Sequence, residues 1–170
     1  MMCSLIAARR GLDVILLEPN KMLGRKLRIT GKGRCNVTNN CDIKDFLTNI
    51  PGDGRFLYSA LNRLSPRDTM QFFESLGLPL KTERGNRVFP VSDNANDVAG
   101  TLARNLERSG VRHIRESANH IIAENGEVTG VKTDAEIKEL FGEDPLLLAT
   151  LDKDPAHSAD EALIEIGKRR

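Results

Sequence analysis

Residues 1–18, MMCSLIAARRGLDVILLE, decide the fold class because they join a helix-forming segment to a buried strand through one glycine. The first ten residues predict a helix that ends at Gly11, with arginines in its last turn, where they interact favourably with the helix dipole. Residues 12–18 form an apolar run that closes on Glu18, as in a parallel strand covered on both faces. The stretch therefore predicts the second half of a βαβ unit in an α/β fold.

A dinucleotide-binding βαβ unit places a strand and a G-x-G-x-x-G turn immediately before such a helix. The fourteen glycines of the chain contain no such triplet. We therefore expect an incomplete Rossmann-like unit that lacks its first strand and its phosphate-binding turn.

The segment of residues 20–41, here called the basic loop, has neither helical nor strand periodicity and is rich in glycine, lysine, arginine and asparagine. Gly31 and Gly33 carry no Cβ, so the main chain there can approach an anion closely. Together with charged and amide side chains, this composition predicts a phosphate or pyrophosphate cradle; the alternative is a solvated basic loop with glycines at its turns. The candidate donors are Arg25, Lys26, Lys32, Arg34, Asn36, Thr38 and Asn39.

Three further features of the sequence allow two interpretations each. Glu18 ends the strand where a carboxylate can accept hydrogen bonds from a ribose, but a lone acid there is more often a surface residue. Cys35 is either a reactive thiol in a basic setting or a small buried residue, and packing is the favoured role. Polar residues between Lys81 and Arg87 would line a substrate pocket or belong to a charged hairpin.

The rest of the chain predicts alternating helices and strands. Helices are expected over 56–64, from the Ser65 cap to Gly77, and over 93–109, where Asp93 or Asn94 would form the cap. A hairpin over 78–90 should turn at 84–86, and strands are expected at 111–114, 119–122 and 127–133. The acidic tail predicts three short helices, at 134–141, 145–151 and 158–169.

Composition excludes several classes of protein. The net charge of +1 and the aromatic content of 4% disfavour a nucleic-acid-binding protein that stacks bases. Three cysteines without C-x-x-C spacing and three scattered histidines disfavour disulfide frameworks and metal sites, and suit a reducing compartment. No apolar run is long enough for a membrane span, so a cytoplasmic protein is expected.

Residues 7–133 resemble the bacterial FAD/NAD(P)-dependent oxidoreductases of the BaiN-like, or HI0933-like, family. This span covers about three-quarters of the chain, and five segments within it carry the match. They are AARRGLDVILLEPNKMLGRKL, TGKGRCNVTNN, FLYSALNRLSP, FFESLGLPLKTERGNRVFPVSDNANDV and GEVTGVKT.

The resemblance implies an incomplete Rossmann-like FAD-binding domain with part of an inserted helical and hairpin domain. Residues 1–50 and 109–133 would belong to the FAD-binding domain, and 51–108 to the inserted region. Glu18 would bind the FAD ribose, and Asn119 would approach the adenine. The pyrophosphate and flavin region would be lined by Arg25, Lys26, Thr30, Gly31, Gly33, Arg34 and Asn36.

The helical tail, residues 134–170, does not resemble that family. From about residue 136 it resembles part of a bacterial RNA polymerase β subunit, through an EALIEI segment at 161–166. The two resemblances together predict a chimeric reading frame, and a natural linker helix is the alternative.

The resemblance implies hydride or electron transfer through FAD, with NAD(P)H as a candidate donor and an unidentified small-molecule substrate. The residues nominate no catalytic acid or base. The alternatives are a non-catalytic nucleotide- or anion-binding module, an RNA-polymerase-related fragment carried by the tail, and a non-functional chimera. Exposed edges of a partial sheet also predict self-association, without nucleic acid or membrane as a partner.

Overall fold

The computed structural model describes residues 1–125, 127–133, 145–150 and 163–166. The chain divides into two compact units. The first unit comprises residues 1–23 and those from Leu102 onward, and the second comprises residues 24–101. The domain boundaries suggested by the family resemblance stay a prediction.

The helices and strands alternate along the chain, as expected for the α/β class. The α-helices are α1 (Met2–Arg9), α2 (Arg25–Ile29), α3 (Ile43–Thr48), α4 (Tyr58–Arg63), α5 (Pro66–Ser75) and α6 (Ala95–Arg108). The strands are β1 (Asp13–Leu17), β2 (Thr38–Asn39), β3 (Leu80–Thr82), β4 (Arg87–Pro90), β5 (Arg112–Ile114), β6 (Ala118–Glu124), β7 (Glu127–Thr133), β8 (Pro145–Thr150) and β9 (Leu163–Ile166).

The opening helix and strand form as predicted. After α1 the chain turns through Gly11 at a φ of +83°, a left-handed conformation that favours glycine. The residues of β1 after Asp13 are all buried. This burial agrees with a strand inside a sheet that is covered on both faces.

Strand β1 is an inner strand of the sheet in the first unit. The strand order is β5-β1-β8-β9, and β1 runs parallel to both of its neighbours while β9 is antiparallel to β8. A separate antiparallel ribbon of β6 and β7 packs its apolar side against this sheet. The shared core contains Ile15, Leu17, Ala118 and Val131, with Ile114 at its margin.

The helices predicted for the tail at 145–151 and 158–169 are wrong, because the described residues there form β8 and β9. Residues 145–150 read PLLLAT and pair along the whole length of β1. An inner strand needs hydrogen-bond partners on both edges, so sheet pairing overrides the local helix propensity. The helix predicted at 134–141 lies outside the described residues.

The second unit is built on the predicted hairpin. Strands β3 and β4 pair across a turn at residues 84–86, and β2 from the basic loop adds to the other edge of β4. The basic loop is therefore not irregular throughout, as the sequence suggested, since it also contains α2 and one turn of 3-10 helix at 30–33. Helix α3 was not predicted, although Asp42 caps it by accepting a hydrogen bond from the Asp45 N–H.

Helix α5 begins at the predicted cap. Ser65 accepts a hydrogen bond from the Asp68 N–H at 3.1 Å, and the Asp68 carboxylate accepts one from the Ser65 N–H at 2.9 Å. This reciprocal arrangement is a capping box, and Pro66 occupies the first helical position.

We expect Ser65→Ala to lower the free energy of unfolding by about 1 kcal/mol, because an N–H at the start of α5 loses its acceptor. Urea denaturation measures the change. Ser59→Ala, at an exposed position within α4, is the control and should change stability by less than about 0.5 kcal/mol. Equal stabilities of the two variants would contradict the capping role.

Helix α6 also forms near the predicted position. It begins at Ala95, after Asn94 accepts a hydrogen bond from the Asn96 N–H, so Asn94 rather than Asp93 lies at the cap. Val98, Leu102 and Leu106 are buried, as their spacing predicted. Among the described residues no helix is long and apolar enough to cross a membrane.

Candidate anion-binding site

The backbone of the basic loop adopts an unusual conformation around its glycines. Gly31, Lys32, Gly33 and Cys35 all have positive φ, at 55°, 59°, 83° and 61°. Non-glycine residues adopt left-handed conformations only where surrounding contacts compensate for the strain, and such sites are often functional. The contacts around residues 30–36 therefore show what fixes the loop.

Arg34 is held by two carboxylates from distant parts of the second unit. Its Nη2 lies 2.5 Å from Oε1 of Glu83 and 2.5 Å from Oδ1 of Asp93, and its Nε lies 2.9 Å from the same Asp93 oxygen. Lys81 completes the group, with its Nζ 2.6 Å from Asp93 and 3.4 Å from Glu83. We call these four residues the charge cluster.

The aromatic ring of Phe89 packs against the Arg34 side chain of the charge cluster. The guanidinium carbon of Arg34 lies 4.1 Å from the ring centroid, within the range of a cation–π contact. The same ring explains Gly31, because a Cβ at that position would lie 3.4 Å from Phe89 Cε1 and 2.9 Å from the backbone nitrogen of Asn36. Gly31 is therefore required by packing inside the unit.

Two further predicted ligands use their side chains to hold the loop together. The Thr30 hydroxyl donates to the Leu27 carbonyl at 2.7 Å. With its nitrogen turned toward the neighbouring strand, the Asn36 amide donates to the carbonyls of Thr38 at 3.0 Å and Val88 at 3.1 Å. These side chains shape the loop, and their role toward a ligand stays a prediction.

Three cations among the predicted donors of the basic loop are exposed, namely Arg25, Lys26 and Lys32, and Lys21 of the same loop is also exposed. Gly33 is exposed as well, and no heavy atom lies within 4 Å of the position that a Cβ would take there. An open glycine beside exposed cations fits a pyrophosphate, since the anion could approach the main chain without a steric barrier. The role of this part of the loop as a phosphate cradle stays a prediction.

The other two predicted site residues belong to the first unit. Glu18 follows β1 at the carboxyl end of a parallel strand, the edge at which such sheets bind ligands. Its Oε1 accepts hydrogen bonds from the backbone and side-chain nitrogens of Asn20, at 2.9 and 2.6 Å. Asn119 is exposed on β6. Neither role in nucleotide binding is tested by this geometry.

The polar residues of the hairpin have mainly structural contacts. Lys81 and Glu83 belong to the charge cluster, and Arg87 donates from Nε to the Arg84 carbonyl at 3.2 Å. These contacts fit the charged-hairpin interpretation. Asp93 was considered only as a helix cap, and no local pattern indicated its pairing with a residue 59 positions away.

Cys35 packs inside the second unit, with 1% of its surface exposed, so the packing role favoured by the sequence fits the structure. Burial raises the pKa of its thiol, although a hydrogen bond with Thr30 partly opposes this effect. A thiol with a raised pKa is mostly protonated at neutral pH and a poor nucleophile. Within the described residues, no group of three His, Cys, Asp or Glu side chains is placed to hold a metal ion.

We expect the charge cluster to make the loop sensitive to acid. The hydrogen bond from Arg34 lowers the pKa of Glu83, and those from Lys81 and Arg34 lower the pKa of Asp93. A carboxyl with a lowered folded-state pKa stabilises the fold above its unfolded pKa, and this stabilisation disappears as the pH falls through the folded value. The cluster should therefore stabilise the unit at neutral pH and weaken below about pH 4.

We accordingly expect a Glu83→Gln/Asp93→Asn double variant to lose less stability than the wild-type chain when the pH falls from 7 to 3. The double variant no longer has these two carboxylates to protonate. Urea denaturation at a series of pH values gives the two profiles. Parallel profiles over this range would show that the cluster contributes nothing to acid sensitivity.

A separate cavity of about 520 Å³ lies in the second unit between α3, α4 and the turn that joins them. Its lining combines apolar groups with exposed polar ones. The lining residues are Ile43, Lys44, Leu47, Thr48, Asp53, Gly54, Arg55, Tyr58 and Asn62.

Comparison with known proteins identifies relatives of most of the chain. It is 35% identical over 114 residues to the 3-dehydro-bile acid delta(4,6)-reductase of Clostridium scindens, covering 66% of the chain and 27% of that protein. It is 30% identical over 112 residues to the ribosomal RNA dihydrouridine synthase of Escherichia coli, covering 65% and 27%. The chain thus spans about a quarter of the length of these relatives.

The C-terminal 40 residues have a different similarity. They are 60% identical to part of the DNA-directed RNA polymerase subunit beta of Alkaliphilus oremlandii, a match that covers 24% of the chain and 3% of that subunit. The resemblance predicted for the tail is confirmed, whereas its origin as a chimeric reading frame stays a prediction. Strand β8, which pairs with β1, lies within this segment.

The family comparison covers more of the chain than either relative. The profile of the HI0933-like protein Rossmann domain matches residues 1–158, and so overlaps the first part of the polymerase-like tail. This match agrees with the parallel sheet around β1 and confirms the predicted Rossmann-like fold class. The chain therefore belongs to the HI0933-like Rossmann-domain family.

Proposed function

We propose that this chain is the FAD-binding part of a flavin-dependent oxidoreductase and that its basic loop binds the FAD pyrophosphate. The observation that carries the proposal is that the exposed Lys32 adjoins Gly33, where the backbone is open, and that the exposed Arg25 and Lys26 begin helix α2 in the same loop. A pyrophosphate needs such a combination of positive charge and accessible main-chain N–H groups.

The names of two relatives support an oxidoreductase. One is named a reductase, and the other is named for forming dihydrouridine, which carries two more hydrogens than uridine. Both names describe reductions of an unsaturated substrate. We therefore assign the reaction to the hydrogen-transfer class. NAD(P)H is the candidate donor, and no substrate is proposed.

The proposed role of this chain's residues is to bind and orient the cofactor. When bound, FAD itself would supply the hydride or electron transfer. Arg25, Lys26 and Lys32 would neutralise the pyrophosphate, and Gly33 would allow its close approach. In the first unit, Glu18 and Asn119 keep the ribose and adenine roles that the family resemblance implies, as separate predictions.

The test is an FAD titration, followed by the quenching of flavin fluorescence, of the wild-type chain and an Arg25→Ala/Lys26→Ala/Lys32→Ala variant. The loss of even one charge-assisted contact, about 1.5 kcal/mol, weakens binding about tenfold, so we expect the triple variant to bind FAD at least about tenfold more weakly. A control variant, Arg63→Ala/Arg67→Ala/Arg115→Ala, removes the same charge from exposed positions outside the loop and should bind like the wild-type chain.

Riboflavin and ADP distinguish the proposal from its alternative. Riboflavin lacks the pyrophosphate, so its affinity should be low and should not differ between the wild-type chain and the triple variant. Equal affinities for ADP and FAD would instead favour a non-catalytic nucleotide-binding module. FAD binding that is equally weak in all three proteins would contradict the proposed site.

A further inference from the structure

We propose that Glu83 and Asp93 are positioning residues, which hold the basic loop in its ligand-binding conformation through Arg34, and that Arg34 does not itself contact the pyrophosphate. The part that concerns the pyrophosphate rests on the proposed function. The positioning role concerns the chain alone, and so it can be tested without FAD.

The first argument is the geometry of the Arg34 guanidinium. Its Nε donates to Asp93 at 2.9 Å, and its Nη2 donates to both Asp93 and Glu83 at 2.5 Å. The guanidinium carbon lies over the Phe89 ring, 4.1 Å from the ring centroid. An arginine has five N–H donors in a rigid plane, and here one edge and one face of that plane are occupied. A side chain held in this way is fixed in position.

The second argument is charge. The two carboxylates balance the positive charges of Arg34 and Lys81, so the four formal charges of the cluster sum to zero. An incoming pyrophosphate at Arg34 would meet two carboxylates in contact with the same guanidinium, and like charges repel at that distance. Arg25 and Lys32 are exposed and lie outside the charge cluster, so they suit an anion better.

The third argument is the position of Arg34 in the backbone. It lies between Gly33 and Cys35, which both have left-handed conformations. Hydrogen bonds from the Arg34 N–H to the Gly31 carbonyl at 3.2 Å and from the Cys35 N–H to the Thr30 carbonyl at 3.1 Å close this turn. The Arg34 side chain is held by Glu83 and Asp93, which belong to other segments. These two contacts therefore restrain the strained backbone at Gly33 and Cys35, on either side of Arg34.

Glu83 and Asp93 are suited to anchor the loop because each lies on a structured segment. Glu83 closes the β3–β4 hairpin, where its N–H donates to the Arg87 carbonyl at 2.8 Å. Asp93 lies in the turn before α6, and its N–H donates to the Pro90 carbonyl at 3.0 Å. Arg34 therefore joins the basic loop to two elements that are far from it in sequence.

The experiment is amide hydrogen exchange of the full chain without FAD, measured by mass spectrometry for residues 32–37. We compare the wild-type chain with Arg34→Ala, with Glu83→Gln/Asp93→Asn, and with a variant that combines all three changes. Arg55→Ala is the matched control, because it breaks the exposed ion pair with Asp53 in the same unit and leaves the charge cluster intact.

We expect exchange to be roughly fivefold faster in Arg34→Ala and in the carboxylate variant alike, with no further increase in the combined variant. The Arg55→Ala control should exchange at the wild-type rate. Unchanged exchange in the carboxylate variant would overturn the positioning role, as would strictly additive effects of the two sets of changes.

FAD titrations of the same proteins test the second half of the proposal. We expect Arg34→Ala and the carboxylate variant to weaken FAD binding by a similar factor, with the salt dependence of the affinity unchanged because no contact to the pyrophosphate is lost. Tighter FAD binding in the carboxylate variant would show that Arg34 is a ligand released by the change, and would overturn this half. If even the wild-type chain does not bind FAD, the proposed function fails while the exchange result still decides the positioning role.

Discussion

Gly31→Ala should lower the free energy of unfolding by about 3 kcal/mol, whereas Gly33→Ala, two residues away, should lower it by only about 1 kcal/mol. Both glycines have positive φ, so an alanine is strained at either position. Only at Gly31 does the new methyl group meet backbone, at 2.9 Å from the Asn36 nitrogen, and this atom cannot move without disturbing the loop.

Urea denaturation of the two glycine variants measures this difference directly. The comparison also separates two explanations for the glycines of the basic loop, namely internal packing and close approach of an anion to the main chain. A larger effect at Gly31 means that internal packing requires glycine at this position. A loss of FAD binding in Gly31→Ala would then result from a distorted loop and not from a lost contact with the ligand. Equal effects would contradict the packing argument.

Phe89→Ala should lower the free energy of unfolding by about 3 kcal/mol, because it removes a ring that is only 4% exposed and leaves a cavity beneath Arg34. The side chain also supports the guanidinium through the cation–π contact and packs beside Gly31. Its loss should therefore loosen the basic loop in addition to destabilising the hairpin.

The matched control for Phe89 is Phe56→Ala, since Phe56 is 76% exposed and belongs to the same unit. The control should change stability by less than about 0.5 kcal/mol. Denaturation curves measure stability, and amide exchange at residues 32–37 reports the state of the loop. Similar stability losses in the two variants, or unchanged exchange in Phe89→Ala, would contradict the role of Phe89 as a support.

The parts of the fold that depend on local chemistry were predictable from the sequence. The Gly11 turn, the burial of β1, the capping box at Ser65 and the hairpin around residues 84–86 all follow from neighbouring residues. In each case the residues responsible lie within a few positions of one another. The physical cause is a positive φ, a helix cap or a continuous apolar run.

The features that depend on distant partners were not predictable in the same way. Residues 145–150 and 163–166 have the composition of short helices, but they form strands because β1 and β8 supply partners for their backbone groups. The short strand β2 likewise exists because β4 lies beside it. Pairing between segments that are far apart in the sequence leaves no local pattern.

The candidate site shows the same division. The basic loop was recognisable from its glycines and cations. The sequence pattern did not show which of these cations would pair with carboxylates. The structure separates them, because Arg34 is neutralised by Glu83 and Asp93 while Arg25, Lys26 and Lys32 stay exposed. No spacing rule could have assigned Asp93 to Arg34, since that contact depends on how the hairpin and the loop fold together.

The measurement that tests the central claim most directly is the absorbance spectrum of the purified chain between about 300 and 500 nm, before and after adding FAD and desalting. Flavins absorb in this range, and unbound FAD is removed by desalting. We predict a flavin band that persists in the wild-type chain and in Arg63→Ala/Arg67→Ala/Arg115→Ala but is lost in Arg25→Ala/Lys26→Ala/Lys32→Ala. A wild-type chain that is folded and retains no flavin at any FAD concentration would contradict the claim that this chain binds the cofactor.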